Sequence, residues 1–394
     1  MRTTLREATV ATTVCLLLVQ SALSQTLSEG EPGGTDEARV ATSSRATQPR
    51  VTPEQWARLD RVTDRALAWL AAQQKPDGSF PTHETGQPGV TALCTLAFLS
   101  RGYAPDHDRY GPVVAKAVDY VLSCQHPDGL ITRYYPMGPF ASKNPTHTAL
   151  YNHAIGSLLL SEVYGMTRGD TNRRLRKAIE LAVEFTKRRL PGPKQRREDE
   201  GGWRYARSKG PGHDDSDLSV TSWQLMFLRS ARNAGFEVPS QLIDEALAYV
   251  RRCFDADEGT FLYGLRSDRK ATRSMAGAGI LSLSLGGQHH TREAAQAANW
   301  LLAHPFDMFH GTEGLGDRFF YGAFYCSQAM FQFGGTHWDR FYPPLLRLLA
   351  THQQADGSWE PELYGDQLFG NAYTAAMAVL AITPPYQMLP IFQR

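Results

Sequence analysis

Gln353-Gln354-Ala355-Asp356-Gly357-Ser358-Trp359 decides the fold, because it is the last of a series. Gln74-Lys75-Pro76-Asp77-Gly78-Ser79-Phe80 opens the series, and Gln125-His126-Pro127-Asp128-Gly129 follows. Partial copies stand at Glu200-Gly201-Gly202-Trp203 and Asp257-Glu258-Gly259-Thr260-Phe261. Asp-Gly after a helical pattern ends the helix sharply, since glycine accepts positive φ. The glutamine amide is placed to bond carbonyls orphaned at a helix end or the backbone of the next turn. The aromatic is expected to pack between neighbouring outer helices. Helix ends need such caps in any case, so these motifs are read as structural.

Around the turns the chain alternates two kinds of helix, giving six similar units. Amphipathic helices are expected near 54–74, 110–125, 172–190, 240–254, 292–304 and 338–353. In the first, Trp56, Leu59, Val62, Leu67 and Leu70 share one face while Arg58, Arg61, Asp64 and Arg65 lie elsewhere. Such helices have one wet side. Pro53, Pro239 and Pro343 are read as lying near helix starts, where a missing N–H costs little. More uniformly apolar helices are expected near 90–100, 148–164, 218–234, 272–285, 320–333 and 372–382, and a helix apolar on most sides is buried on most sides. The alternation predicts an all-α protein, an (α/α)6 toroid of six inner and six outer helices spanning 51–394 as one domain.

Composition sets limits on partners. The 394 residues are 42% hydrophobic and 21% charged, enough for a large core. A formal net charge of +1 gives no case for nucleic acid or a polybasic membrane contact. The expected partner is an apolar small molecule or lipid, with peripheral membrane contact and oligomeric state left open.

Residues 1–24 read as a signal peptide. Arg2 and Arg6 precede the apolar run TVATTVCLLLVQ (9–20), and Ala22-Leu23-Ser24 offers a small-x-small cleavage site. The alternative is an uncleaved anchor. Export to the periplasm or outside the cell is the expectation. Residues 25–50, rich in Ser, Thr, Gly, Glu and Pro, read as a disordered linker. Of five cysteines, Cys94, Cys124, Cys253 and Cys326 lie beyond the signal, far apart and on apolar helices, which favours buried free thiols over bridges.

The Gln-x-x-Asp-Gly-x-aromatic turns resemble the repeats of squalene cyclases and of protein prenyltransferase β subunits, over nearly everything after residue 50. The resemblance implies the terpenoid cyclase/prenyltransferase superfamily, an α/α toroid and an apolar central cavity. It does not by itself imply an activity.

Each chemistry known in that superfamily makes its own demand on the residues. A squalene-type cyclase protonates an alkene, which requires a strong, partly desolvated acid and aromatic faces for carbocations. The family's acid lies in an Asp-x-Asp-Asp-Thr motif. Asp217-Leu218-Ser219-Val220-Thr221 is the best match here, and Ser219 takes the place of the proton-donating Asp. Asp214, Asp215 and Asp217 are therefore the candidate catalytic acids; the competing reading is a loop leading into a helix cap. Protein prenyltransferases use a zinc-bound thiolate. In the segment resembling theirs Gly322 stands at the His position, and the 271–276 stretch lacks the Asp-x-Cys pair, so no metal is expected. No HxxxH occurs, and the twelve histidines are read as solvated or capping. No cofactor fingerprint is evident.

Trp223, Phe227, Phe320, Tyr321, Phe324, Tyr325 and Tyr373 sit on inner helices and are the candidate substrate-binding residues, although core packing accounts for at least half. Two long connections, 132–145 and 191–216, are candidate covers for such a pocket. Three functions fit. The leading one is binding or conversion of an isoprenoid or similar apolar chain. The second is a non-catalytic toroid holding a lipid, glycan or protein. The third is a carbohydrate-processing (α/α)6 enzyme, which needs a second carboxylate facing Asp217; Glu313, Asp317 and Asp366 are the candidates.

Overall fold

The computed structural model describes residues 51–136, 147–189, 194–206, 213–266, 269–310, 317–363 and 365–393. Twelve α-helices run through them. The outer set is α1 (Pro53–Gln73), α3 (Gly111–Ser123), α5 (Gly169–Arg189), α7 (Ser240–Arg252), α9 (Arg292–Ala303) and α11 (Gly335–Thr351). The inner set is α2 (Gly89–Ser100), α4 (Ala149–Val163), α6 (Leu218–Asn233), α8 (Arg273–Leu285), α10 (Phe319–Phe333) and α12 (Gly370–Ile382). A two-stranded hairpin, β1 (Phe254–Asp255) and β2 (Thr260–Phe261), is the sheet among the described residues.

Each inner helix packs on the next, and α12 packs on α2, so the six close into a ring. Each outer helix lies over the groove between two inner ones: α3 over α2 and α4, α7 over α6 and α8, α1 over α12 and α2. The two burial patterns follow. All twelve residues of α2 are buried, whereas α1 buries Leu59, Val62, Ala66, Leu67 and Leu70 and leaves Arg61 and Arg65 in water. Caps fix the starts. Thr52 and Gln55 form a reciprocal capping box on α1, and Thr272 and Thr291 cap α8 and α9.

The repeated turns bind the outer ring. Gln74 Nε2 donates to Gly78 O in its own turn (3.1 Å) and to Val113 O on α3 (2.8 Å). Gln125 reaches Gly129 O and Ala178 O on α5, and Gln353 reaches Gly357 O and Val62 O on α1. The amides thus join one outer helix to the next, and the third joins the last unit to the first. Gly129 needs its lack of a side chain twice over. Its φ is +95°, and a Cβ there would lie 2.2 Å from Leu181 O on α5. Trp203 and Trp359 are fully buried, their indole N–H groups bonded to Thr186 O and Leu349 O.

Because every unit runs outer helix, turn, inner helix, the six inner N-termini share one end of the ring. The opposite end is covered by residues 384–393. Leu389, Ile391 and Phe392 are buried there. Gln332 near the end of α10 bonds Phe392 O, and Glu162 near the end of α4 accepts from Ile391 N and Ser230 Oγ. Burial pushes the Glu162 carboxyl up to about 7.

Two sequence readings need correction. Pro343 does not begin a helix. With Pro344 it lies inside α11, two turns beyond Gly335. The carbonyls left without an N–H partner belong to Asp339 and Arg340, which are exposed, so water can take them. His153 is neither solvated nor a cap. It is fully buried, with Ile131 N donating to Nδ1 and Nε2 bonded to Thr186 Oγ1. The proton therefore sits on Nε2, and burial holds the ring's pKa down to about 3. The four cysteines beyond residue 50 are free thiols, three of them buried. No described helix is long and apolar enough to cross a membrane. The expected signal peptide and linker lie outside the described residues.

Candidate functional site

At the end where the inner helices begin, aromatic and hydroxyl side chains from several elements meet. Tyr151 comes from the first turn of α4, Ser219 and Trp223 from α6, Tyr321, Phe324 and Tyr325 from α10. Tyr151 OH donates to Ser219 Oγ at 2.9 Å. Ser219 Oγ and Tyr321 OH share a 2.5 Å bond, and Trp223 Nε1 donates to Tyr321 OH at 3.0 Å. The Trp223 ring stacks on Phe324, 5.3 Å between centroids and 6° from parallel. Stacking fixes the indole plane, and the hydrogen bond fixes its direction.

Two further tyrosines come from connections. Tyr205, before α6, bonds Tyr263, before α8, through their hydroxyls at 2.7 Å. Tyr263 O also accepts from Leu218 N, which ties that connection to the start of α6. The rings of His147 and Tyr205 meet edge to face at 4.6 Å. Tyr151, Tyr205, Tyr263 and Tyr321 are half-buried. Burial first, and the nearby Asp217 charge second, raise the hydroxyls of Tyr151, Tyr205 and Tyr263, so they remain neutral donors.

The three sequence-nominated acids part company. Asp217 is fully buried and caps α6, its Oδ1 accepting from Val220 N at 2.8 Å. Arg204 Nη1 stands 4.0 Å from its other oxygen. Asp215 accepts from Gln195 N, and Asp214 from Arg266 N. The latter two thus face the 194–199 segment and Arg266, and the three carboxylates do not converge on one point. Of the aromatic candidates, Trp223, Tyr321, Phe324 and Tyr325 belong to the cluster. Tyr373 joins its edge, where the charges of Asp366 and Glu362 help to raise its hydroxyl after burial. Phe227 instead packs on His153, and Phe320 on Phe309, His310 and Phe319.

The candidates for a second acid also separate. Asp317 is consumed by Arg273, its Oδ2 2.6 Å from Nε in a buried pair. Glu313 lies outside the described residues. Asp366 is buried beside Arg318, whose Nη1 donates to it at 2.5 Å. Burial, aided by the charge of Glu362, pushes Asp366 up to about 6 although Arg318 acts the other way. Glu362 is itself buried, accepting from Phe320 N at 2.7 Å. Of the two candidate covers, 137–145 and 191–193 and 207–212 lie outside the described residues. Tyr134 and Tyr135 of the first are bonded to Glu84 and Asp128.

Among the described residues no three His, Cys, Asp or Glu side chains stand together as a metal would need. A Cβ at Gly322 would face Phe306 and Ser274 N. The sequence reading missed Tyr151, Tyr205, Tyr263, Arg318 and Glu362. One signal was present: Tyr151, Ser219, Tyr321 and Tyr373 all fall in the first turn of their inner helices, so superposing the units would have aligned them.

Comparison with known proteins agrees with this architecture. The sequence model of the prenyltransferase alpha-alpha toroid domain matches residues 8–184 and 213–319. The drimenyl diphosphate synthase of Streptomyces showdoensis is 27% identical over 210 residues, 53% of this chain. That alignment spans only 33% of the relative's length. A D-mannose isomerase structure superposes with a TM-score of 0.59 at 12% identity, covering 84% of this chain and 97% of that one. A single-residue variant of the type II terpene cyclase MstE from Scytonema, bound to its substrate geranylgeranyl dihydroxybenzoate, gives 0.52 at 16%, covering 86% and 100%. A family 76 mannosidase from Bacteroides thetaiotaomicron gives 0.57 at 11%, covering 84% and 98%. At these identities the likeness is one of fold.

Proposed function

The chain belongs to the prenyltransferase alpha-alpha toroid family, and from that premise we propose that it holds an amphiphilic molecule with an isoprenoid-like chain at the end of its ring where the inner helices begin, without protonating it. The observation that carries this reading is Ser219. At the position where the resemblance calls for a proton-donating Asp, a neutral hydroxyl is clasped between Tyr151 and Tyr321. A serine hydroxyl is far too weak an acid to protonate an alkene. Asp217 next to it is engaged in capping α6. What remains is a recognition surface. The stacked Trp223–Phe324 pair offers apolar area, and the tyrosine hydroxyls offer donors for an oxygen at the head of the ligand. The six inner N-termini add positive dipole ends, which favour a polar or anionic head there. An export segment within 1–24 would place this binding outside the cytoplasm.

The test is mass spectrometry of small molecules extracted from the protein after incubation with a membrane-lipid extract. An unaltered isoprenoid retained by wild type and lost with Trp223→Ala supports the reading. A cyclised product made by wild type refutes it, as does the retention of no isoprenoid.

A second reading rests on Asp366. A buried carboxyl held near 6, close in sequence to buried Glu362, suits general acid–base work on a sugar better than alkene protonation. Turnover of a glycoside or free aldose by wild type, abolished in Asp366→Asn, would favour it.

A further inference from the structure

Residues 384–393 form a strap over the covered end of the ring. They make two 3₁₀ turns, Pro384–Tyr386 and Pro390–Phe392, the second of which packs on α6, the inner helix opposite α12 in ring order. The strap therefore crosses the ring. Side chains hold it at three places. Tyr386 OH donates to Asp60 Oδ1 at 2.5 Å, beneath the guanidinium of Arg101. Gln332 Nε2 donates to Phe392 O at 2.7 Å, and Ile391 N donates to Glu162 Oε2 at 3.3 Å. Between the first anchor and the other two lies Gln387, at φ +50° although it is not a glycine, a conformation that costs energy and marks a hinge. The ring closes through α12 and α2, upstream of that hinge, so the part beyond Gln387 can lift without parting any helix pair.

One anchor is a buried acid. Glu162 is 4% exposed, and among the described residues no Lys, Arg or His pairs with it. The cations of the elements around it are engaged or turned to water. Arg101, which follows α2, pairs with Asp60 and Asp64 of α1. Arg176 of α5 lies over the ring of Tyr164, and Arg229 and Arg232 of α6 are exposed. The protonated acid suits this place. Its O–H can donate to Ser230 Oγ while its other oxygen accepts from Ile391 N. Ionised, the same group is a lone charge shut away from water. Burial accordingly raises its carboxyl by more than Ser230 and Ile391 lower it.

We propose that Glu162 and the strap form a proton-gated closure: with Glu162 protonated the strap lies shut, and loss of that proton to solvent frees 388–393 and uncovers this end of the ring. It is independent of the reading above, which concerns the end where the inner helices begin. The experiment is hydrogen exchange of the full chain between pH 5 and pH 8, read by mass spectrometry on peptides covering 388–393 and corrected for the intrinsic pH dependence of amide exchange. Strap amides are expected to exchange faster than those of α4 and α10 throughout, by local opening. Their protection should fall about seventyfold from pH 5 to pH 8, the change for an acid that moves from about 7 when covered to its ordinary 4.5 in water. Glu162→Gln can make both bonds and does not titrate, so its strap protection should stay level across the range. Gln332→Leu removes the tie to Phe392 and should speed strap exchange by about fivefold at every pH, with the slope unchanged. Level protection in wild type overturns the proposal, as does an equal pH dependence in Glu162→Gln. Strap amides that exchange no faster than the helices would also overturn it, since the strap would then open only when the whole ring does.

Discussion

Replacing Glu162 by Gln should change how the stability of this protein depends on pH. Glu162 is buried near the end of α4, and its carboxylate accepts from Ser230 Oγ at 2.5 Å and Ile391 N at 3.3 Å. Two donors do not offset its desolvation, and its pKa rises from 4.5 to about 7. A carboxyl whose folded value lies above its unfolded value binds its proton more tightly in the native state. Its stabilising contribution is complete below about pH 4.5, declines as pH rises, and is gone above about 7. A tenfold change in proton affinity is worth about 1.4 kcal/mol, so wild type should lose about 2.5 kcal/mol from this group between pH 5 and pH 8. Glutamine keeps the shape of the protonated acid and does not titrate. The difference in melting temperature between Glu162→Gln and wild type should therefore grow in the variant's favour from pH 5 to pH 8. At roughly 0.7 kcal/mol per degree for a domain of this size, the change is about 3.5 °C. Scanning calorimetry of both proteins across that range is the assay, because other titrating groups cancel in the difference. Parallel profiles would show that Glu162 does not titrate in this window and that the covered end of the ring is wetter than the structure has it.

His153 acts in the opposite direction. Its folded pKa of about 3 lies below the ordinary 6.5, so its contribution is present above pH 6.5 and lost as pH falls towards 3. His153→Gln should flatten the acid limb of a pH–stability curve, and an unaltered limb would rule the group out. Gly129→Ala should lower stability by about 3 kcal/mol, since it combines a left-handed φ with a Cβ 2.2 Å from Leu181 O; a melt within a degree of wild type would contradict the turn geometry. Gln353→Leu removes two hydrogen bonds, one of them to α1, and should cost about 2 kcal/mol with faster hydrogen exchange in α1 than in α5. Maleimide at pH 8 should leave Cys94, Cys253 and Cys326 unlabelled in the native state and modify Cys124 only slowly, since burial raises all four thiols and Cys124 alone is half-exposed.

The helices and turns were legible because each leaves a local mark. The twelve expected segments differ from α1–α12 by a few residues at their ends, and the Gln and Gly of each Asp-Gly turn perform the capping that their types allow. The inner ring was harder to read. A helix buried on all sides shows no wet stripe, so Phe227 and Trp223 look alike in sequence, yet Phe227 meets His153 and Trp223 meets Tyr321. Tyr205 and Tyr263 come from irregular connections with no period to give them away. The acids illustrate the same limit. Asp214, Asp215 and Asp217 are adjacent in sequence, and the extended backbone before α6 turns them towards different neighbours.

The bond from Gln353 to Val62 carries a consequence for how the chain is made. A solenoid of the same helical pairs can begin to stack as soon as two units have emerged, and can gain or lose a unit at either end. Here α1 must wait for α11 and α12, nearly three hundred residues later in synthesis. Until then its apolar stripe has half a groove to lie in. Such long-range pairing is slow to form and leaves a sticky surface exposed meanwhile. A nascent chain halted before α11 should be a good client for a chaperone, and the number of units is locked: deleting one pair would strand two helices on opposite lips of a gap.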